Sequence, residues 1–303
     1  MAVGTLPRPD LVDTRRATGA REGSRAWRKL VRNPSALAGT LILLVVIGAA
    51  VAAPHVAPHD PARQSLVRRF TPPVWEKGGN PAYPLGTDQV GRDILSRLIH
   101  GARISLAVGV AAVVVSLLVG VSLGLLSGFV GGRIDTVIMT VVDVTLSFPG
   151  LLLALAFVAA LGPSVLTIIL VLGLTGWERY ARVVRAEVLA LREKDFVEAA
   201  RAMGIGTPRI LCRHLLPNTF SSIIVLSTLQ VAQAILQESA LSFLGVGSGS
   251  AYPTWGQMTA LGRDFVTVAW WLPTFPGLAI LLTVLSINLV GDRLRDALDP
   301  RAT

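Results

Sequence analysis

The sequence predicts an all-α membrane protein with six transmembrane helices and both termini in the cytoplasm. Three observations carry this. The first is composition. Of 303 residues, 52% are hydrophobic and 16% charged, against roughly 25% charged in a soluble domain. The mean hydropathy is +0.60. A soluble core of this length cannot hold so much apolar surface, and lipid is the solvent that can. The second is a set of six apolar stretches, at 36–53, 105–130, 136–161, 164–177, 219–244 and 273–290, most of them near the ~20 residues that a bilayer requires. The third is the distribution of charge. With the N-terminus inside, 20 of the 28 Lys and Arg fall on the cytoplasmic side and 8 outside, as the positive-inside rule demands.

Along the chain, residues 1–35 read as a basic cytoplasmic segment and 36–53 as a retained first helix. A signal peptide is the rival for that helix. Ala50-Val51-Ala52 resembles a cleavage site and Arg15-Arg16 a twin-arginine signal. However, the preceding basic region is too long, and the arginine pair is followed by Ala17-Thr18-Gly19 rather than an apolar run. Residues 54–104 form an extracytoplasmic segment rich in Pro and Gly, whose second half, 88–104, is amphipathic. Its apolar face carries Val90, Ile94, Leu95, Leu98 and Ile99. Residues 105–303 form the core, with five helices and a cytoplasmic loop at 178–218. Gly162 and Pro163 make the tight turn between the third and fourth spans.

Several functions are excluded by what is missing. None of the three lysines (Lys29, Lys77, Lys194) stands between Gly and Ser or Thr, so there is no phosphate-cradling P-loop. The four histidines (His55, His59, His100, His214) fall outside the apolar spans, which deprives an intramembrane protease of its base or zinc ligand. Pro58 between His55 and His59 argues against a helical metal pair, and no metal site is expected. Cys212, the only cysteine, is expected to pack as a small apolar residue and rules out a disulfide framework. The net charge of +9 lies between apolar runs, which argues against a nucleic-acid partner.

Ionisable groups inside spans mark ion or solute pathways. Only Asp143, in the third span, and Glu238, in the fifth, qualify. A proton-coupled secondary transporter would carry more. Gln230, Gln233 and Gln237 share one face of the fifth span, with Glu238 beside them. This stripe lies inside the bundle, as helix–helix hydrogen bonding or as the wall of a water-filled path. Trp255, Trp270 and Trp271 outside, and Trp177 and Tyr180 inside, read as interfacial belt anchors.

The loop at 178–218 is the most informative segment. Residues 187–203 are rich in helix formers, Gly204 offers a C-terminal stop, and a second short helix at 208–215 is expected to end at Pro217. On the first helix, Phe196, Ala199, Ala200 and Met203 share a face, while Glu198 and Arg201 point elsewhere. That face suits close approach by a partner, or equally packing onto the bundle.

The run Glu198–Gly204 (EAARAMG) resembles the EAA motif of ABC importer permeases, and Arg213–Asn218 (RHLLPN) is similar to its variant in the dipeptide/oligopeptide/nickel family, of DppC/OppC type. Segments 84–109, 147–157, 240–247, 276–280 and 291–301 resemble further signatures of that family, in the same order. The resemblance implies a type I ABC importer permease fold in a prokaryotic cell membrane. It implies a homologous second permease (DppB/OppB-like), two ABC ATPases (DppD/DppF-like) and an extracytoplasmic substrate-binding protein as partners. ATP and Mg would be bound by the ATPases and no cofactor by this chain, which would not itself be an enzyme. The cargo it implies is dipeptides or oligopeptides, with nickel chelates or glutathione as the alternative. The EAA loop (Phe196, Glu198, Ala199, Ala200, Arg201, Met203, Gly204) would be the ATPase-coupling element. Asp143, Ser147, Phe148, Gln230, Gln233, Gln237 and Glu238 are the pathway-lining candidates.

Overall fold

The computed structural model describes residues 34–247 and 253–298. The segment 1–33 and the terminal signature at 291–301, in part, lie outside these residues. The first helix, α1 (Pro34–Val51), is apolar all round, and Leu37, Leu41, Leu44 and Val45 face outward, as a lipid-exposed helix requires. Its Gly39 lets it close on the last helix, where a Cβ would sit 3.0 Å from that of Leu289. The Pro/Gly-rich segment that follows is a series of turns. It is tied to the bundle by Trp271 Nε1, which donates to Thr87 O at 3.1 Å.

The long α2 (Ile94–Val130) runs 37 residues, roughly 55 Å at 1.5 Å per residue. From Ile94 on, the amphipathic half-segment and the second span are one rod, because nothing between them breaks a helix, while Val90 lies in the turn before it. Asp93 caps it, accepting from Ser96 N at 3.0 Å. Arg97 is tolerated at 3% exposure by Asp88 Oδ2, 3.6 Å from its Nε.

The expected third span is not one helix. It is α3 (Gly132–Ser147) and α4 (Gly150–Leu161), bent by 90°. Pro149 has no N–H to donate and forces Phe148 out of the helical region, to φ −95° and ψ 139°. The turn at Gly162 (φ 89°) and Pro163 forms as expected. Ser164 then caps α5 (Val165–Leu174), accepting from Thr167 N at 3.0 Å.

The fourth span also differs. α5 has only 10 residues, and the chain resumes at once as α6 (Trp177–Arg192), where a cytoplasmic loop was expected. Trp177, Tyr180, Ala181, Val184 and Val188 form the buried face of α6, at helical spacing. It packs on α2 along a seam of glycines. A Cβ on Gly120 would lie 2.3 Å from Trp177 O, one on Gly124 2.7 Å from Ala181 O, and one on Gly128 2.8 Å from Val188 Cβ. Small residues every fourth position allow such close approach between membrane helices. Trp177 and Tyr180 are therefore core residues and not interfacial anchors.

After α7 (Asp195–Ala202) and a single helical turn at Thr207–Ile210, the chain passes through a π-turn, Leu211–Leu215, into α8 (Leu216–Leu241). Pro217 does not end a helix as expected; it lies in the first turn of α8. There its missing N–H costs little, and the π-turn takes up the altered ladder with Leu216 N donating to Leu211 O. Cys212 is exposed on this turn and does not pack inside. A second π-turn, Ser242–Val246, follows α8 directly, with Gly245 at φ 91°.

α9 (Trp255–Gly262) and α10 (Trp271–Leu298) complete the bundle. Trp255 and Trp271 are buried, at 2% and 4% exposure. Trp255 Nε1 donates to Leu98 O at 2.9 Å. They too are packing residues; only Trp270 remains half-exposed, donating to Glu76 Oε1 at 2.7 Å. By length and composition, α1, α2, the rod from Thr207 to Val246 and α10 can each cross a membrane, and the bent pair α3–α4 makes a fifth.

Candidate functional site

Two regions hold the candidate side chains, one at α7 and one beside the α3–α4 bend. The first region is α7 and its turn. Val197 and Ala200 face inward, at 0% and 1% exposure, beside Ile210 and Leu215 in the same cluster. Phe196, Ala199 and Met203, at i, i+3 and i+7, face out, and Met203 is 72% exposed. Ala200 thus leaves the outward face on which the sequence pattern had placed it. It lies one turn from Val197, and that residue's burial fixes the inward side.

The turn is a Schellman motif. Gly204 N donates to Arg201 O at 2.9 Å and Ile205 N to Ala200 O at 3.1 Å. Gly204 takes φ +73°, and a Cβ there would meet nothing within 4 Å, so the position demands glycine for its backbone and not for space. Glu198 is exposed. Arg201 folds back, its Cζ 4.9 Å from the centre of the Phe129 ring at the end of α2. Arg192 Nη1 donates to Gly128 O at 3.0 Å in the same corner. The exposed face is therefore rigidly joined to the α2–α6 seam.

The second region is an open cleft of about 540 Å³ between the α3–α4 bend, the α5–α6 break and α8. Phe148, Gln233 and Gln237, three of the pathway-lining candidates, line it. Gln230 does not line the cleft but a smaller cavity beside it, accepting from Arg179 Nη1 at 2.8 Å and donating to Gly176 O at 3.3 Å. The other three pathway candidates lie elsewhere. Ser147 donates to Asp143 O at 2.7 Å and does not line the cleft. Asp143 accepts from Arg182 Nη2 at 2.5 Å on an exposed face of α3 and α6. Glu238 is fully buried on the opposite side of α8, where Thr254 Oγ1 (2.6 Å) and Ser242 Oγ (2.8 Å) donate to its Oε1. It fastens the start of α9 to the C-terminal end of α8.

A family model described as the inner membrane component of binding-protein-dependent transport systems matches residues 120–303, which contain both regions. The chain belongs to this family. A second model, the N-terminal transmembrane domain of oligopeptide transport permease C, matches residues 23–73. The chain is 48% identical over 275 residues to the dipeptide transport system permease protein DppC of Escherichia coli (strain K12), covering 91% of this chain and 92% of that one. It is 46% identical to the di/tripeptide transport system permease protein DppC of Pseudomonas aeruginosa, covering 91% of each. In fold it is similar to a chain of the MetNI methionine ABC transporter in an inward-facing conformation, with a TM-score of 0.54 and 19% identity. The match covers 67% of this chain and 96% of that one. At that identity the likeness speaks for the fold alone, and it agrees with the type I importer architecture that the motifs imply. This family member is a multi-pass membrane transport subunit.

Sequence reasoning missed Glu178 and Arg179, which line the cleft, because the fourth span was ended at Trp177 and the charges beyond it were assigned to a loop. It also missed the seam of Gly120, Gly124 and Gly128. The spacing of four residues was a readable signal for close helix packing.

Proposed function

We propose that this family member is one of two homologous permease subunits of an ATP-driven, binding-protein-dependent importer of dipeptides or oligopeptides. The observation that carries the reading is α7. It presents an exposed apolar face of Phe196, Ala199 and Met203, held by a capped turn and joined to the α2–α6 seam. A membrane protein that leaves such a face in water at its cytoplasmic end has a partner to cover it. An ATPase subunit fits, since it would bring the P-loop that this sequence lacks. ATP and Mg would bind there, and closure of the ATPase pair would pull α7 and so turn the α2–α6 unit. The second permease would cover the cleft side, and an extracytoplasmic binding protein would deliver the cargo. The peptide names of the DppC relatives support the cargo class.

Six crossings with both termini inside follow if α5 and α6 together make the remaining span. Helix directions support this. α2 and α5–α6 run parallel, since Ala112 approaches Gly173 and Gly128 approaches Val188. α8 runs against them, since Gly109 meets Ile235 near one end and Glu187 meets Ser222 near the other. The alternation is that of a second, fourth and fifth span.

The test is purification of the tagged chain from its native membrane in mild detergent, with mass spectrometry and an ATPase assay. Recovery of a second permease and P-loop ATPases, with hydrolysis stimulated by a binding protein carrying a peptide, is the expected result. A nickel chelate or glutathione in that binding protein would replace the cargo. Recovery of the chain alone, with ion-driven uptake that needs no ATP, would overturn the reading.

A further inference from the structure

We propose that Glu178 and Arg179 form a mid-membrane station that takes the charged ends of a passing peptide, Glu178 receiving the ammonium and Arg179 the carboxylate. The proposal rests on the peptide-importer reading above. Three observations combine in it.

The first is place. Glu178 and Arg179 open α6 directly after the break at Thr175–Gly176, 13 residues after the start of α5 and so roughly 20 Å below the outer turn. The opposite wall of the same cleft is the α3–α4 bend, with Phe148 and Pro149. Broken helices facing a cavity at mid-depth are the arrangement by which membrane transporters expose polar groups to a solute.

The second is incomplete satisfaction. Glu178 is 3% exposed, yet its nearest cation contact is Arg179 Nε at 3.8 Å from Oε1, well beyond a charge-assisted hydrogen bond of ~2.8 Å. Its Oε2 is buried with no hydrogen-bond partner. A buried carboxylate is costly unless it is paired, so this one has capacity for a donor, and an ammonium brings three. Arg179 uses Nη1 on Gln230, and its side chain is 47% exposed. A guanidinium has five donors, which leaves it able to engage a carboxylate.

The third is the remaining lining. Gln233 and Gln237 offer amide donors and acceptors, while Phe148 and Leu236 offer apolar surface. Amides recognise peptide groups whatever the side chain, and the apolar wall accepts side chains without selecting among them. A volume of about 540 Å³ lies within the roughly 300–1,000 Å³ of small-molecule sites. Openness keeps binding weak, which passage requires.

The test uses the whole transporter, with both permeases, the ATPases and the binding protein, in proteoliposomes with radiolabelled dialanine. Uptake and binding-protein-stimulated ATP hydrolysis are read together. Glu178→Gln is expected to lower uptake by at least about tenfold, the loss of one charge-assisted hydrogen bond, while stimulated hydrolysis persists. Glu178→Asp should recover most of the uptake. The double variant Glu178→Gln/Arg179→Gln should remain as slow as the single one. Uptake by Glu178→Gln within twofold of the unaltered protein would overturn the proposal. So would recovery of uptake in the double variant, which would make the pair a structural ion pair only. Failure of Glu178→Gln to assemble with its partner subunits would assign the carboxylate to folding and would overturn it equally. Absence of dialanine uptake by the unaltered transporter is a different failure, that of the peptide-importer reading itself.

Discussion

The turn at the end of α7 and the cleft beside the α3–α4 bend differ in how far their polar groups are satisfied. The α7 turn is saturated. Its backbone groups are bonded in a Schellman motif, its inward residues Val197 and Ala200 are fully packed, and Arg201 is stacked on Phe129. What it leaves open is an apolar face. The cleft is undersaturated. It is made of helix breaks and amides, with a buried carboxylate oxygen that has no partner. In the proposed roles, force would pass through a rigid, fully bonded element, whereas a solute would pass a surface that binds weakly and releases. The α2–α6 glycine seam connects the two, and in the proposed mechanism movement imposed on one would reach the other.

The largest effect is expected where both regions are broken together. Gly120→Val would place a Cβ against Trp177 O, within 2.3 Å, and backbone cannot yield as a side chain can. Overpacking of this kind costs roughly 1–3 kcal/mol or more. Folded protein recovered in mild detergent, measured by size-exclusion chromatography, should fall at least about tenfold. The next effect separates the regions. Gly204→Asp meets no neighbour and loses only the ~1–2 kcal/mol of a left-handed backbone. Insertion should hold at the wild-type level, with thermal stability lowered only by that backbone cost, while transport is abolished. Normal transport by a correctly inserted Gly204→Asp protein would remove α7 from the coupling role.

These two glycines also show how much was legible. Gly204 stands in a contiguous run, EAARAMG, and a local motif can be read from a local window. The same holds for Gly162-Pro163. The 90° bend was written in Phe148-Pro149, yet a uniformly apolar stretch concealed it, because span length is judged on mean hydropathy and not on backbone hydrogen bonding. The start of α6 was misread for another reason. Arg179, Arg182 and Arg185 look like loop charges until their partners appear. Those partners, Gln230, Asp143 and Asp135, are at least 39 residues away in sequence. No window contains them, so the turn from α5 into α6, and with it the cleft wall at Glu178 and Arg179, stayed hidden. Glu238 was seen, but its role against Thr254 depends on a contact 16 residues away.

Smaller changes sharpen the comparison. Met203→Ala removes an exposed apolar side chain and leaves the bundle untouched. Its effect belongs to the partner alone, and recovery of ATPase subunits with the permease should fall about 5- to 10-fold for a lost anchor of ~1–1.5 kcal/mol. The smallest effect is expected from Asp143→Asn. The pair with Arg182 has side chains that are 66% and 56% exposed, and exposed pairs are worth about 0–1 kcal/mol. Transport by this variant should stay within about twofold of wild type, and a large loss would return Asp143 to the pathway.

The most direct measurement compares Gly204→Asp and Glu178→Gln in the same proteoliposome preparation, reading binding-protein-stimulated ATP hydrolysis and peptide uptake side by side. The account predicts that the α7 variant loses both and that the cleft variant loses uptake while hydrolysis continues. Equal loss of both activities in the two variants would contradict the separation of a force-bearing region from a solute-bearing one.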